Sequence, residues 1–446
     1  MGHTIYIETL GCAKNRVDSE IMLGTLLNSG FTYEPDSEKA AVIIVNTCGF
    51  LTSAVNESIN RILSLAENKK TGKCLKLVVA GCMSERYRDS LLDEISEIDG
   101  IIGTSDYTEI LTCINNLLEN NERSNLLHNR PLYSHNNENA IRALSTKQHY
   151  AYLKIAEGCS NMCSFCNIPK LRGKYISREP ESICKEFLDL IARGIKEISL
   201  ISQDSSSYGR DLTHRESLRD LVQKLLDGTN EDFWLRLFYL YPNRFPIELI
   251  DIMNQDQRLV PYIDIPLQHI NSEVLKTMNR KIDRDQIQVL LDSILNKNDS
   301  IAIRTTFIVG YPTETEKHFQ ELLDFVEKGY FQHAGVFEYS FEDNIAAVKY
   351  GDPIPDAIKK ERRDVLLAAQ QKVSAKKNQS QVGQIQKVLI EGLSEDTDLL
   401  LQGRNKYQGI EVDGVVLIND GQANSSEFVN VEITEAHPYD LIGKII

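Results

Sequence analysis

Six strand-like stretches alternate with helix-like stretches between residues 149 and 375, and this alternation limits the possible fold more than any other feature. The strand-like stretches are short and rich in β-branched and aromatic residues. Repeated βα units predict a parallel sheet, and six of them predict a partial (βα)6 barrel of the TIM type with its site at the C-terminal ends of the strands. The six stretches are YAYLKIAEG, IKEISLISQD, FWLRLFYLYP, YIDIPLQH, IAIRTTFIVGYP and HAGVFEYSFE.

The remaining sequence predicts two further domains and a connection. Residues 1–115 contain the near-continuous apolar runs TIYIETLGC, AVIIVNTCGF and KLVVAGCM, typical of a parallel sheet covered on both faces, and the stretch SERYRDSLLDEIS has the spacing of a helix with one buried face. Residues 116–148 are rich in asparagine without a sustained period, which indicates a linker or a long excursion. Residues 378–446 alternate strands with Gly, Asn and Asp turns, which predicts a small five-stranded barrel of the oligonucleotide-binding type. The expected fold class is multidomain α/β.

The composition is that of an ordinary globular protein, with 42% hydrophobic and 25% charged residues and a mean hydropathy of -0.28. No apolar run reaches about 18 residues and no signal-peptide pattern opens the chain, so we expect no membrane span and a cytoplasmic location. The net charge of -15 argues weakly against binding nucleic acid over the whole surface. Nine cysteines in a reducing compartment favour metal binding or catalysis over disulfides.

Three of these cysteines lie close together in the stretch EGCSNMCSFCNIP, which follows the first barrel strand. Cys159, Cys163 and Cys166 have the spacing C-x3-C-x2-C, and no fourth cysteine is near. Four thiolates close a zinc site or coordinate every iron of a 4Fe-4S cluster, whereas three leave one metal corner free for another ligand. The alternative is that they are core thiols or part of a zinc site.

A second set of three cysteines shares another property, because each follows the end of a predicted strand in the first domain. They are Cys12, Cys48 and Cys82. Open α/β sheets bind ligands at that edge, so three thiolates converging there would hold a second cluster with an open corner. Taken singly, they are equally well explained as buried thiols. Cys74, Cys113 and Cys184 lack this placement and are interpreted as packing residues.

The C-x3-C-x2-C motif resembles that of the radical S-adenosylmethionine superfamily, and the whole chain resembles the methylthiotransferases within it. That family has a three-cysteine α/β domain, a radical barrel and a small β-barrel called the TRAM domain. The motifs that carry the resemblance are ETLGCAKNRVDSE, VNTCGF, VAGCMSERY, LKIAEGCSNMCSFCNIPKLRGKYISR, IPLQHINSEVLKTMNR and RTTFIVGYPTET.

The resemblance implies two 4Fe-4S clusters and S-adenosyl-L-methionine as cofactors. Sulfur held on the second cluster would be methylated by one S-adenosylmethionine, and another would give a 5′-deoxyadenosyl radical at the first cluster. That radical would take a hydrogen from the substrate carbon, which then couples to the methylsulfur. Two ligand sets follow from the resemblance: Cys159, Cys163 and Cys166 for the first cluster, and Cys12, Cys48 and Cys82 for the second.

Two branches of this family were compared. The RimO branch modifies the β-carbon of an aspartate in small-subunit ribosomal protein twelve, and the MiaB branch modifies an isopentenyl adenosine in tRNA. Glu157 in KIAEGC, the stretch ISQDSSSYG and the stretch IEVDG resemble the RimO branch. Residues 378–446 carry four basic and eleven acidic residues, a net charge of -7, which suits a basic protein better than tRNA. A MiaB-like enzyme and a solvated acidic face without a partner remain as alternatives.

Weaker candidates for contacts with S-adenosylmethionine lie on the later barrel strands and the loops after them. They are Gln203, Asp204, Gln268, His269, Arg304 and Gly310, the last at a tight turn. His269 has the alternative role of a helix cap, and Arg304 that of a buried ion-pair member. No catalytic acid or base is predicted, because the radical itself removes the hydrogen.

The partners expected are a basic ribosomal protein and a low-potential electron donor of the flavodoxin or ferredoxin type. Nucleic acid is less favoured, no membrane is expected, and a monomer is the default state. A zinc-bound interaction module is a third hypothesis, which metal analysis would separate from the two enzymes.

Overall fold

The computed structural model describes residues 3–120, 123–127 and 141–446. They form two compact units. The first runs to Ser145 and also includes Lys154–Met162 and Cys166–Ser182, and the second contains Thr146–Leu153, Cys163–Phe165 and Ile183–Ile446. Among the described residues, no helix combines the length and the apolar character needed to cross a bilayer.

A six-stranded parallel sheet with the order β2-β1-β3-β4-β5-β6 forms the core of the first unit. Every residue of its third and fourth strands is buried, and each strand carries four consecutive apolar residues, VIIV and LVVA, rather than alternating ones. The predicted α/β parallel-sheet domain is confirmed. Its elements are β1 (Thr4–Thr9), α1 (Ala13–Asn28), β2 (Thr32–Tyr33), β3 (Val42–Thr47), α2 (Thr52–Ala66), α3 (Asn68–Thr71), β4 (Lys76–Gly81), α4 (Cys82–Tyr87), α5 (Asp89–Glu94), β5 (Gly100–Ile102), α6 (Ile110–Asn120) and β6 (Ser124–Leu126).

The segment predicted to be a linker, residues 116–148, begins inside regular structure. Helix α6 continues to Asn120, and β6 pairs with β5 as the edge strand of the first sheet. Residues 116–120 and 124–126 thus belong to regular structure of the first unit, and a three-residue edge strand is too short to give a periodic signal. Residues 121–122 and 128–140 of the predicted linker lie outside the described residues.

The second large sheet has six strands in the order β14-β13-β12-β11-β10-β7, and its pairs from β10 to β14 are parallel. All six predicted strands are present, which confirms the partial barrel. The elements of this part of the chain are β7 (Tyr150–Lys154), β8 (Ala156–Glu157), α7 (Ile168–Leu171), β9 (Ile176–Ser177), α8 (Pro180–Ala192), β10 (Glu197–Ile201), α9 (Leu218–Asp227), β11 (Trp234–Leu237), α10 (Leu249–Gln255), β12 (Leu259–Asp264), α11 (Ser272–Thr277), α12 (Arg284–Lys297), β13 (Ala302–Val309), α13 (Glu316–Glu327), β14 (His333–Glu338) and α14 (Asp356–Gln379).

The C-terminal segment is a closed five-stranded barrel with the order β15-β16-β17-β19-β18, as predicted. Alternate residues of its strands fill the interior, which explains the alternating pattern of the sequence. Its strands are β15 (Ile385–Leu393), β16 (Leu401–Asn405), β17 (Val416–Asp420), β18 (Phe428–Ala436) and β19 (Leu441–Ile445).

Candidate active site

The C-terminal edge of the first sheet carries three cysteines. Cys12 directly precedes α1, Cys48 follows β3, and Cys82 begins α4 directly after β4. Because β1, β3 and β4 are parallel neighbours, these positions lie at the same edge of the sheet.

The loops that carry these cysteines approach each other closely. Gly11 has a φ of +91°, and a Cβ there would lie 2.9 Å from Cβ and 3.4 Å from Sγ of Cys48. A Cβ at Gly49 would lie 2.6 Å from the carbonyl oxygen of Cys82. Side chains at these two positions would force the loops apart, so glycine is what allows the loops to approach this closely.

Electrostatic interactions also connect the three thiols. Burial raises the pKa of Cys82 to about 12, the Arg172 guanidinium opposes this rise, and Cys12 and Cys48 add to it. Burial likewise raises the pKa of Cys48, and a hydrogen bond from the backbone N–H group of Phe50 partly offsets this rise. Metals bind the thiolate form, so metal binding at these residues would release protons.

Asn15, in the first turn of α1, joins this edge together. Its Nδ2 donates to the carbonyl oxygens of Leu10 and Thr47, both at 2.9 Å, which ties the ends of β1 and β3. Its Oδ1 accepts from Nη2 of Arg172 at 2.5 Å and lies 4.0 Å from Sγ of Cys82. The amide therefore fixes both the backbone and an arginine beside the cysteines.

Two cations and two carboxylates form a buried network next to Asn15. Arg172 donates to Glu157 and to Asp18, both at 3.0 Å, and Lys154 donates to Asp18 at 2.6 Å and to Glu157 at 2.8 Å. None of these side chains is more than 4% exposed. Burial raises the pKa of Glu157, but Arg172 and Lys154 outweigh it and hold that pKa well below its usual range. Of these residues only Glu157 was noted from its sequence context, because contacts between residues so distant along the chain leave no local pattern.

Two cysteines of the C-x3-C-x2-C motif belong to the first unit. Sγ of Cys159 accepts a hydrogen bond from the N–H group of Asn161 at 3.4 Å, and Sγ of Cys166 accepts one from the N–H group of Ile168 at 3.5 Å. Hydrogen bonds to sulfur are among the features that tune iron–sulfur clusters, so both sulfurs suit cluster ligation.

The remaining cysteine of the motif, Cys163, lies in the second unit beside an arginine. Nη1 of Arg280 is 3.7 Å from Sγ of Cys163, and its guanidinium carbon lies 4.1 Å from the ring centroid of Tyr241. Burial raises the pKa of Tyr241 to about 12, against the opposing charge of Arg280. Neither residue was predicted from the sequence. Arg280 does end the quoted stretch IPLQHINSEVLKTMNR, which was the available signal.

The donor chemistry of both cysteine sets fits iron–sulfur clusters, because thiolates are the usual ligands of iron in such clusters. Within the described ranges, no three His, Cys, Asp or Glu side chains surround a common metal position. The assignment of all six cysteines as ligands therefore stays a prediction.

The candidates after the second and fourth barrel strands have local structural roles. Asp204 is buried and accepts a hydrogen bond from Oγ of Ser207 at 2.6 Å, next to the half-buried Gln203. Gln268 has a φ of +73° and bonds through its backbone to β13. Nδ1 of His269 accepts from the N–H group of Asn271, the N-cap of α11, at 2.9 Å, so His269 supports a helix cap as the alternative proposed. Burial lowers the pKa of His269 to about 3, which keeps the ring neutral.

The two candidates on β13 and its C-terminal turn differ in position. Arg304 pairs with Asp264 at 3.2 Å and with Asp413 at 3.4 Å, which is the ion-pair role that the sequence left open. Gly310 has a φ of +71°, and its N–H group donates to Glu314 at 2.6 Å, so it does form a tight turn. Contacts of these six residues with S-adenosylmethionine stay predictions.

Comparison with known proteins gives the class. Family models match in succession: the uncharacterized protein family UPF0004 over residues 4–103, the radical SAM superfamily over 153–326 and the TRAM domain over 382–446. The solved structure of the radical S-adenosylmethionine methyltransferase TsrM from Kitasatospora setae, with cobalamin and a 4Fe-4S cluster bound, has a TM-score of 0.55 at 14% identity, covering 76% of this chain and 72% of that chain. The fold and the motifs define a radical SAM enzyme, which uses S-adenosylmethionine and an iron–sulfur cluster.

Similarity over the full length gives the family. The chain is 42% identical to the ribosomal protein uS12 methylthiotransferase RimO of Anaeromyxobacter sp. strain K, across 100% of this chain and 94% of that protein. It is also 42% identical to the protein of the same name from Bdellovibrio bacteriovorus, across 99% of this chain and 97% of that protein. The chain belongs to the RimO family of methylthiotransferases and is a sulfur transferase. The resemblance noted from the sequence motifs is confirmed.

Proposed function

We propose that this enzyme replaces a hydrogen on the β-carbon of an aspartate in small-subunit ribosomal protein twelve with a methylthio group. The observation that carries this proposal is the meeting of Cys12, Cys48 and Cys82 at one sheet edge, in a chain that also has the C-x3-C-x2-C motif. Radical formation needs only one set of three thiols. The second set would hold the cluster that carries the sulfur for transfer.

Two clusters are proposed, with Cys159, Cys163 and Cys166 holding one and Cys12, Cys48 and Cys82 holding the other. When bound, the clusters and S-adenosylmethionine supply a radical able to take hydrogen from an unactivated carbon and a sulfur to replace it. The chain contributes thiolate ligands, N–H donors to the sulfurs of Cys159 and Cys166, and the cation of Arg280 beside Cys163.

The terminal barrel supports a basic protein as substrate rather than tRNA. Of its four basic residues, Arg404 is 1% exposed and is held by Glu197 at 2.7 Å and Glu391 at 2.5 Å. Lys387 pairs with Asp232 at 2.7 Å. Little positive charge remains for phosphate contacts, on which tRNA binding depends. A cytoplasmic location, a flavodoxin- or ferredoxin-type electron donor and a monomeric state are part of the same proposal.

The test is an anaerobic incubation of the reconstituted enzyme with reductant, S-adenosylmethionine and two competing substrates. One is a peptide copied from the aspartate loop of ribosomal protein twelve, and the other is unmodified tRNA. Mass spectrometry should find a methylthio group on the aspartate and none on the tRNA. A modified tRNA beside an unchanged peptide would refute the proposal in favour of the MiaB-like reaction.

A serine in place of Cys48 should separate the two cluster functions. The Cys48→Ser variant is expected to keep forming 5′-deoxyadenosine but to give no methylthiolated peptide, since only the second set of thiols is damaged. Cys74→Ser is the matched control, because Cys74 is a buried thiol whose Sγ lies 3.4 Å from the carbonyl oxygen of Lys76. It should retain both activities, and chromatography of the nucleoside with mass spectrometry of the peptide measures them.

A further inference from the structure

Arg172 is a buried cation beside the C-terminal edge of the first sheet, where Cys12, Cys48 and Cys82 lie. Its side chain is 1% exposed, and hydrogen bonds to Glu157, Asp18 and Asn15 fix the guanidinium. Nη2 of this guanidinium donates to Oδ1 of Asn15 at 2.5 Å, and the same oxygen lies 4.0 Å from Sγ of Cys82. Arg172 lies six residues beyond Cys166, so the chain that follows one cysteine motif supplies a charge to the other set.

Lys154 provides an internal comparison. It binds the same two carboxylates, at 2.6 Å to Asp18 and 2.8 Å to Glu157, and is equally buried. Its strongest electrostatic partners are these carboxylates, Tyr107 and Arg172. The two cations therefore share one structural setting, and Arg172 is the one bound to the amide oxygen of Asn15, which lies 4.0 Å from Sγ of Cys82.

The network is electrically balanced before any metal is present, with two cations against two carboxylates. Three thiolates around an iron–sulfur core add negative charge, and reduction adds one more electron. A cation fixed beside the sulfurs stabilises the reduced form and so raises the reduction potential, which net charge and hydrogen bonds to sulfur control in clusters. Lys14 also acts on Cys12, and Glu57 acts on Cys48, so both residues must stay unchanged in any comparison.

We infer that Arg172 is a positioning residue for the second cluster: held by Glu157, Asp18 and Asn15, it places positive charge near the sulfur of Cys82 and raises the reduction potential of the cluster bound there. This inference rests on the proposed function, since it requires Cys12, Cys48 and Cys82 to hold a cluster.

The experiment compares two charge-balanced double variants in the full-length chain. The parent carries Cys159→Ala, Cys163→Ala and Cys166→Ala, so that only the second cluster can form. Asp18→Asn with Arg172→Gln removes one carboxylate and the cation near the sulfurs, whereas Asp18→Asn with Lys154→Gln removes the same carboxylate and the other cation. Iron and acid-labile sulfide are measured first, and the midpoint potential is then measured by redox titration followed by electron paramagnetic resonance.

We expect the Arg172 double variant to show about a tenfold lower ratio of reduced to oxidised cluster at a fixed potential, a shift of about 59 mV for a one-electron couple. The Lys154 double variant should stay close to the parent. Equal midpoint potentials in the two double variants would overturn the inference and leave the proposed function intact. A parent that binds no iron and sulfide would instead overturn the second cluster itself, and with it both proposals.

If the Arg172 double variant does not fold, the single variant Arg172→Lys tests whether the position of this charge controls the reduction potential. Lysine keeps the positive charge but its shorter side chain withdraws it from the sulfurs. A fall of about twofold or more in the reduced-to-oxidised ratio supports the inference, and an unchanged ratio contradicts it.

Discussion

At the scale of single residues, spacing identified candidate cysteines, but distance along the chain concealed the residues that contact them. Cys159, Cys163 and Cys166 form a motif within eight positions, and Cys12, Cys48 and Cys82 follow strand ends that can be recognised locally. Arg172 lies 157 residues from Asn15, and Arg280 lies 117 residues from Cys163. Only the folded chain brings such pairs together, so no periodic or spacing rule could have found them.

Arg280 should therefore affect radical formation although it was not among the predicted site residues. Arg280→Met removes the donor beside Cys163, and we expect 5′-deoxyadenosine formation to fall about 10- to 100-fold, as for other groups that support metal ligands. The matched control is Arg258→Met, because Arg258 also stacks on an aromatic ring, 5.4 Å from the centroid of Phe233, but lies directly before β12. Similar rates for the two variants would contradict a role for Arg280.

At the scale of elements, continuous apolar runs identified the buried parallel strands, and the alternating pattern identified the small barrel. Short or interrupted elements were missed. The stretch SERYRDSLLDEIS was predicted as one helix, but Arg88 has a φ of +51° and separates α4 from α5. One left-handed residue hardly disturbs the hydrophobic period, so a periodic analysis does not detect it. The parallel pairing of β17 with β19 in the barrel was equally invisible, because it joins strands that are not consecutive.

Two glycines with the same backbone angle allow the loop geometry to be tested. Gly11 and Gly30 both have a φ of +91°, but only at Gly11 would a Cβ meet other atoms, since nothing lies within 4 Å of a Cβ at Gly30. Gly30→Ala should lower the free energy of unfolding by about 1 kcal/mol and leave the metal content unchanged. Gly11→Ala should lose the iron and sulfide of the second cluster while 5′-deoxyadenosine formation persists. Full iron content in Gly11→Ala would show that the close approach to Cys48 is not required.

At the scale of the whole molecule, the terminal barrel is joined to the rest of the second unit through buried polar groups. Glu197 is shared by Arg236 at 2.6 Å and Arg404 at 2.7 Å, and Nε2 of His149 lies 3.5 Å from Glu391 on β15. Trp234, the only tryptophan, packs on Phe428 of the barrel with ring centroids 4.9 Å apart. Its fluorescence therefore reports on this junction.

Acid should weaken this junction through His149. Burial lowers the pKa of His149 from 6.5 to about 4, with Glu391 opposing the shift. Between these values the unfolded chain binds a proton that the folded protein does not, so stability falls as the pH drops through this range. We expect about 2 kcal/mol of the loss between pH 7 and pH 5 to disappear in His149→Gln, measured by urea unfolding with Trp234 fluorescence. An identical loss in both proteins would rule out His149 as the cause.

The buried network also fixes an order of events during synthesis. All strands of the first sheet are complete by residue 126. The cations that bind Asp18, Lys154 and Arg172, lie 136 and 154 residues after it in the sequence. An uncompensated buried carboxylate costs several kcal/mol, so we expect the N-terminal domain not to close around Asp18 before Lys154 and Arg172 have been synthesised. On the proposed function, we therefore expect iron to reach Cys12, Cys48 and Cys82 only after the polypeptide has grown past Arg172.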